Sequence, residues 1–205
     1  MNKPFSRSSQ KNGRQPIIVV SGLPRSGTSM MMKMLAEGGL PVITDEIRQP
    51  DDDNPNGYFE LEIVRQLKEG NFAWMQDMNG KGVKIISALL EYLPQQYHYK
   101  VIFMERDSRE TLASQKKMLD HRGQISKLSD EEMEQQFQAH LAAMKPWLIR
   151  QPNMEVLYVN YNALITEPVL FCEKIASFLD VPLNQSQMLT VPDKELYRNR
   201  RAGNE

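Results

Sequence analysis

The residues best suited to chemistry lie in Gly22-Leu23-Pro24-Arg25-Ser26-Gly27-Thr28-Ser29, which follows the β-branched run Ile17-Ile18-Val19-Val20 and precedes a Met-rich segment with helical character. A loop of this kind gathers backbone N–H groups at a helix N-terminus, where unpaired donors and the helix dipole attract an anion. Gly22 and Gly27 allow backbone shapes closed to residues with side chains. Arg25 adds a cation, and Ser26, Thr28 and Ser29 add hydroxyls. A plain strand-to-helix turn needs none of these groups, so the loop is read as an anion site. Its spacing nearly matches the G-x-x-x-x-G-K-[ST] loop of nucleotide triphosphatases, but Thr28 stands at the lysine position and the cation has moved to Arg25. The later strands also lack a terminal Asp to hold Mg²⁺: one runs into Glu105-Arg106 and another into Asn160-Tyr161.

The elements that must carry this loop are legible in the chain. Ile17–Val20 reads as a strand buried on both faces, and Thr28–Glu37 as a helix stopped by Gly38-Gly39. Pro41-Val42-Ile43 reads as a short strand, and 45–57 as an acidic loop rich in Pro, Asn and Gly. Phe59–Gly70 reads as a helix, Val83–Ile86 and Val101–Met104 as strands, and Arg109–Leu119 as a helix. A long helix over Ser129–Arg150 opens on a capping-box pattern, Ser129-Asp130-Glu131-Glu132. Val156–Val159 and a helix from Pro168 to Leu179 complete the pattern. Strands alternating with helices predict an α/β fold: an open, doubly wound parallel sheet with helices on both faces. Residues 1–15 are polar and aperiodic and read as a loose tail, leaving 16–205 as one domain.

Composition narrows the function. A net charge of −1 on 205 residues argues against non-specific nucleic-acid binding. The single cysteine, Cys172, excludes an internal disulfide and offers no zinc spacing. No apolar run approaches the roughly 20 residues of a membrane helix, and the basic N-terminus lacks a signal-type apolar segment. A cytoplasmic enzyme is therefore expected. Asp51-Asp52-Asp53 reads as a solvated acidic run, so no metal is expected, and Met30, Met31, Met32 and Met34 read as core packing behind the loop.

Three segments together resemble the sulfotransferase superfamily that uses 3′-phosphoadenylyl sulfate. Leu23–Ser29 is similar to that family's 5′-phosphosulfate loop. Val101-Ile102-Phe103-Met104-Glu105-Arg106, with Ser114 eight residues on, is similar to its 3′-phosphate motif. Arg106 at a strand end and Ser114 on the following helix can converge on one phosphate at the sheet's carboxyl edge. Val159-Asn160-Tyr161 followed by Pro168 and Ile175–Leu179 is similar to the family's tyrosine-bearing strand end, which implies that Tyr161 touches the adenine. From the residues alone, Tyr161 reads equally as a half-buried strand-end aromatic. The resemblance covers most of residues 16–180. Arg200 and Arg201, in the basic C-terminal segment, correspond to a loop over the 3′-phosphate or to a solvated tail.

The resemblance implies transfer of a sulfuryl group from 3′-phosphoadenylyl sulfate to a hydroxyl or amine of a small-molecule, glycan or peptide acceptor. The product is 3′-phosphoadenosine 5′-phosphate, and Arg25 with the loop donors stabilises the leaving phosphate. A general base is also required. His98, His121 and His140 fall in unsuitable places, so the carboxylates are preferred: Glu46, then Asp45, with Glu60 as an alternative or a substrate contact. Acidic residues in the expected lid segments, 45–57 and 80–94, point to a basic or amine-bearing acceptor. A nucleotide-dependent kinase on the same loop architecture, and a non-catalytic nucleotide-binding module, stand as the rival readings. The long helix 129–150 offers a face for an oligomer.

Overall fold

The structure, a computed structural model, describes residues 14–45, 47–49, 51, 54, 57–121, 123 and 128–193. Glu46, Arg200, Arg201 and the segment expected as a tail through residue 13 lie outside the described residues.

Four strands, β1 (Ile17–Gly22), β2 (Gly82–Lys84), β3 (Tyr99–Glu105) and β4 (Met154–Asn160), form one parallel sheet in the order β2-β1-β3-β4. All six residues of β1 are buried, as a β-branched run between two covered faces should be. One face packs Ile18, Val20, Ile102, Met104 and Val159 against α1 (Thr28–Glu37), α4 (Tyr161–Thr166), α5 (Pro168–Leu179) and α6 (Gln185–Met188). The other packs Ile17, Val19, Val83, Val101 and Phe103 against α3 (Asp130–Ile149) and three 3₁₀ segments, while α2 (Ser108–His121) lies between β3 and α3 in the chain. The expected α/β architecture with both faces covered is thus observed. Met30, Met31, Met32 and Met34 are all buried within the first face.

The chain leaves β1 to β2 on one side and reaches β3 on the other, so the winding reverses beside the carboxyl end of β1. In open α/β sheets, ligands bind at such a point. Gly22 is in register with Met104, so the loop after β1 and the residues after β3 emerge side by side.

Several elements differ from the sequence expectation. Pro41–Ile43 makes only an isolated bridge, Val42 with Gly82, held by Gly82 N on the Pro41 carbonyl and Ile43 N on the Gly82 carbonyl. Phe59–Gly70 is not an α-helix; Glu62–Glu69 is a 3₁₀ helix, whose three-residue turn suits its buried pair Val64 and Leu67. β2 ends at Lys84, although Ile85 N still donates to the Val20 carbonyl at 3.0 Å, and Ser87–Tyr92 is a further 3₁₀ helix that buries Leu89 and Leu90. Tyr161 does not continue β4 but starts α4, capped by the Asn160 side chain, which accepts from the Ala163 N–H.

The Ser129 cap is formed in both directions: its hydroxyl accepts from Glu132 N, and the Glu132 carboxylate accepts from Ser129 N. Ser129→Ala should cost about 1 kcal/mol in denaturant unfolding without moving ligand affinity. An unchanged midpoint would show that α3 is held by packing alone.

Candidate active site

Each strand delivers functional groups to the same edge. β1 leads into residues 23–29, β2 ends on Lys84, β3 runs into Arg106, and β4 into Tyr161. Residues from all four line one cavity of about 340 Å³.

The loop after β1 is shaped by its glycines and by Ser26. A Cβ at Gly22 would lie 2.6 Å from the Met104 carbonyl oxygen and 2.5 Å from Ser26 Oγ, so no larger residue fits there. Ser26 Oγ is buried and donates to the Leu23 carbonyl at 2.7 Å. Gly22 and Ser26 therefore build the turn, whereas Pro24, Arg25, Gly27, Thr28 and Ser29 line the cavity. Gly27, in the left-handed region at φ 98, is the N-cap of α1; no side chain caps that helix and no acid occupies its first turn. The first-turn N–H groups have no intrahelical acceptor, which suits the position to an anion.

The two arginines and the serine anticipated from separate motifs meet at this loop. Arg25 Nε donates to Ser114 Oγ at 3.0 Å, across 89 residues. Arg106 Nη1 donates to the Arg25 carbonyl at 3.3 Å, and its Nε to Glu110 Oε2 at 3.1 Å. The Arg106 guanidinium stands 4.5 Å over the Tyr161 ring, which also packs close to Gly27. Burial raises the Tyr161 hydroxyl above its ordinary pKa, partly offset by Arg106. Two cations and a hydroxyl from the β1 and β3 ends thus share one cavity.

Beside Ser29 in the same cavity, Lys84 Nζ donates to the Tyr58 carbonyl, lies 3.5 Å from Ser29 Oγ and pairs with Glu60 at 3.7 Å. Burial lowers its pKa to about 8, opposed by Glu60 and assisted by Arg48 and Arg25. Glu60 is also paired with Arg48 at 3.3 Å. Its backbone is tied down as well: the Glu60 carbonyl accepts from Thr44 Oγ1 at 2.9 Å and from Asp45 N at 3.1 Å. Phe59 reverses the chain just before it, at φ 50. The same cavity is lined by Leu61, Val64, Ile86 and Leu89, together with the charged Glu62 and Arg65.

Of the three acids expected as bases, Glu60 lines the cavity, whereas Asp45 does not. The Asp45 carboxylate accepts from Glu62 N at 2.5 Å and from Ile47 N at 3.1 Å; these backbone bonds hold its pKa below the ordinary value. Asp45 thereby starts the 3₁₀ helix. None of the three histidines lines the cavity, and His140 Nε2 lies 2.8 Å from Ser87 Oγ. Lys84 was not anticipated. Its signal was present: a lysine inside the otherwise apolar Val83-Lys84-Ile85-Ile86, at a strand's carboxyl end.

Comparison with known proteins bears on the family and the fold. The family model of the sulfotransferase family matches residues 59–185, well over half of the sequence, and the chain belongs to that family. No curated protein matches it by sequence. Among solved structures, mouse sulfotransferase SULT7A1 complexed with PAP is 16% identical, with a TM-score of 0.59 over 93% of this chain and 76% of that one. The sulfotransferase domain from the curacin biosynthetic pathway is 15% identical, TM-score 0.55, over 89% and 79% of the two chains. The sulfotransferase domain from the Synechococcus PCC 7002 olefin synthase is 14% identical, TM-score 0.54, over 95% and 87%. These likenesses show a shared fold. No helix among the described residues is long and apolar enough to cross a membrane.

Proposed function

We propose that the protein transfers a sulfuryl group from 3′-phosphoadenylyl sulfate to a hydroxyl or amine of a small acceptor, releasing 3′-phosphoadenosine 5′-phosphate. The observation that carries the reading is the meeting of Arg25, Ser114 and Arg106 on one cavity beside an uncapped helix N-terminus. A ligand with two separate anionic groups needs such a pair of sites. The donor set fits, since it offers guanidinium groups, hydroxyls and first-turn N–H groups where phosphates would sit.

In this reading, Arg25, Thr28, Ser29 and the first-turn N–H groups hold the 5′ end. Arg106 and Ser114 hold the 3′-phosphate, and Tyr161 lines the nucleoside side. The co-substrate supplies the sulfuryl group already activated as an anhydride with phosphate. Glu60 takes the proton from the acceptor at its carboxylate, in the cavity that Leu61, Val64, Ile86 and Leu89 also line. Lys84 and Arg25 hold the charge that appears on the departing phosphate oxygen.

Calorimetric titration with 3′-phosphoadenosine 5′-phosphate, without Mg²⁺, tests the pocket. The bisphosphate should bind well, ATP much less well, and Arg106→Ala should lose the bisphosphate. Stronger binding of ATP with Mg²⁺, or an unaffected Arg106→Ala, would overturn the reading. Once an acceptor is identified, Glu60→Gln should lower kcat by about 10²–10⁴-fold with bisphosphate affinity retained.

A further inference from the structure

We propose that Glu110 is a positioning residue that sets the orientation of Arg106, and hence the discrimination between nucleotides with and without a 3′-phosphate. The inference rests on the proposed function. Arg106, Glu110 and Ser114 follow one another at intervals of four, so an acid stands between the two groups assigned to the 3′-phosphate. A carboxylate there opposes an anion, and burying it is costly unless it is well paired. It is nonetheless buried, with 5% of its side chain exposed, against 8% for Arg106.

The pairing accounts for its place. Glu110 Oε2 accepts from Arg106 Nε at 3.1 Å, and both carboxylate oxygens accept from Asn162 Nδ2 at 3.3 Å. The Glu110 backbone is held too, its N–H donating to Asp107 Oδ1 at 3.2 Å. Asn162 belongs to α4, so the carboxylate is tied to elements following β3 and β4 alike. Arg106 is consequently fixed from three directions: Nε on Glu110, Nη1 on the Arg25 carbonyl at 3.3 Å, and its flat face 4.5 Å over Tyr161. A guanidinium recognises phosphate through directed N–H groups, so restricting its rotation in advance lowers the cost of binding. Remove Glu110, and Arg106 keeps its charge but loses the bond that sets its plane.

The test compares adenosine 3′,5′-bisphosphate with adenosine 5′-monophosphate by calorimetry on the wild type, Glu110→Ala and Glu110→Gln. Glu110→Ala should lose about tenfold to a hundredfold in preference for the bisphosphate, with affinity for the monophosphate unchanged. Glu110→Gln should keep the preference, since its amide oxygen still accepts from Nε. Asn162→Ala, which leaves the buried pair in place, should lower the preference less than Glu110→Ala, and supplies the reading if Glu110→Ala does not fold. Should Glu110→Ala fold and retain the preference, or weaken both ligands equally, the positioning role is overturned while the proposed function stands. If Glu110→Ala does not fold, an unchanged preference in Asn162→Ala overturns the role. A wild type that does not prefer the bisphosphate overturns both.

Discussion

Lys84→Met should reduce turnover by about 10²–10³-fold, the usual loss when one preorganised donor to a developing oxyanion is removed. Lys84 is placed for that task by its contacts with Ser29 Oγ, the Tyr58 carbonyl and Glu60. Methionine retains the length of the stem and removes the charge. Protonation gives the same lysine a signature in pH. Its folded pKa, about 8, lies below the ordinary 10.5, mainly through burial. Between these values the unfolded chain binds more protons than the folded one, so unfolding free energy rises with pH across that window. Below about 8 the lysine is charged in both states and the full burial cost remains. Lys84→Met should therefore flatten the rise in stability from pH 8 to 10.5. In the free protein the ammonium is lost as pH passes about 8, so kcat/KM should fall there in the wild type and lose that limb in the variant. Denaturant unfolding across pH and a pH–rate profile check both effects. A variant with near wild-type turnover removes Lys84 from the mechanism.

Gly27→Ala should abolish binding of the bisphosphate and destabilise the fold by about 2–5 kcal/mol, from backbone strain and overpacking together. At φ +98 a side chain is strained, and the new Cβ would stand 2.4 Å from Tyr161 Cδ2 and 2.9 Å from Cε2. Tyr161 has little freedom to give way, being 7% exposed and packed under Arg106. The loop would have to move instead, taking the first turn of α1 with it. Gly27→Ala combined with Tyr161→Ala separates the two causes: relief of the clash should return part of the stability, while the strain at φ +98 persists. Retention of ligand affinity in Gly27→Ala would mean that the loop tolerates a side chain and does not need this approach to Tyr161.

The features legible in the sequence are local ones. The helix Thr28–Glu37 and the helix Pro168–Leu179 stand at the expected residues, because Gly38-Gly39 and Pro168 punctuate the chain independently of any partner. The capping box of α3 is equally local, its bonds spanning three residues. The strand-loop-helix with its glycines, Arg25 and hydroxyls was legible because all of them fall within eight positions. Tertiary structure decided which groups share the cavity. Asp45 and Glu60 look alike as acids near a turn, yet a bond from Glu62 N takes up the first while Arg48 and Lys84 surround the second. Val42 has the character of a strand residue but pairs only as a bridge with Gly82, a pairing between segments 40 residues apart. Arg25 meets Ser114 across 89 residues, and Glu110 meets Asn162 across 52. Backbone periodicity is written in neighbouring residues, whereas the direction of a polar side chain depends on groups that only the folded sheet brings within reach.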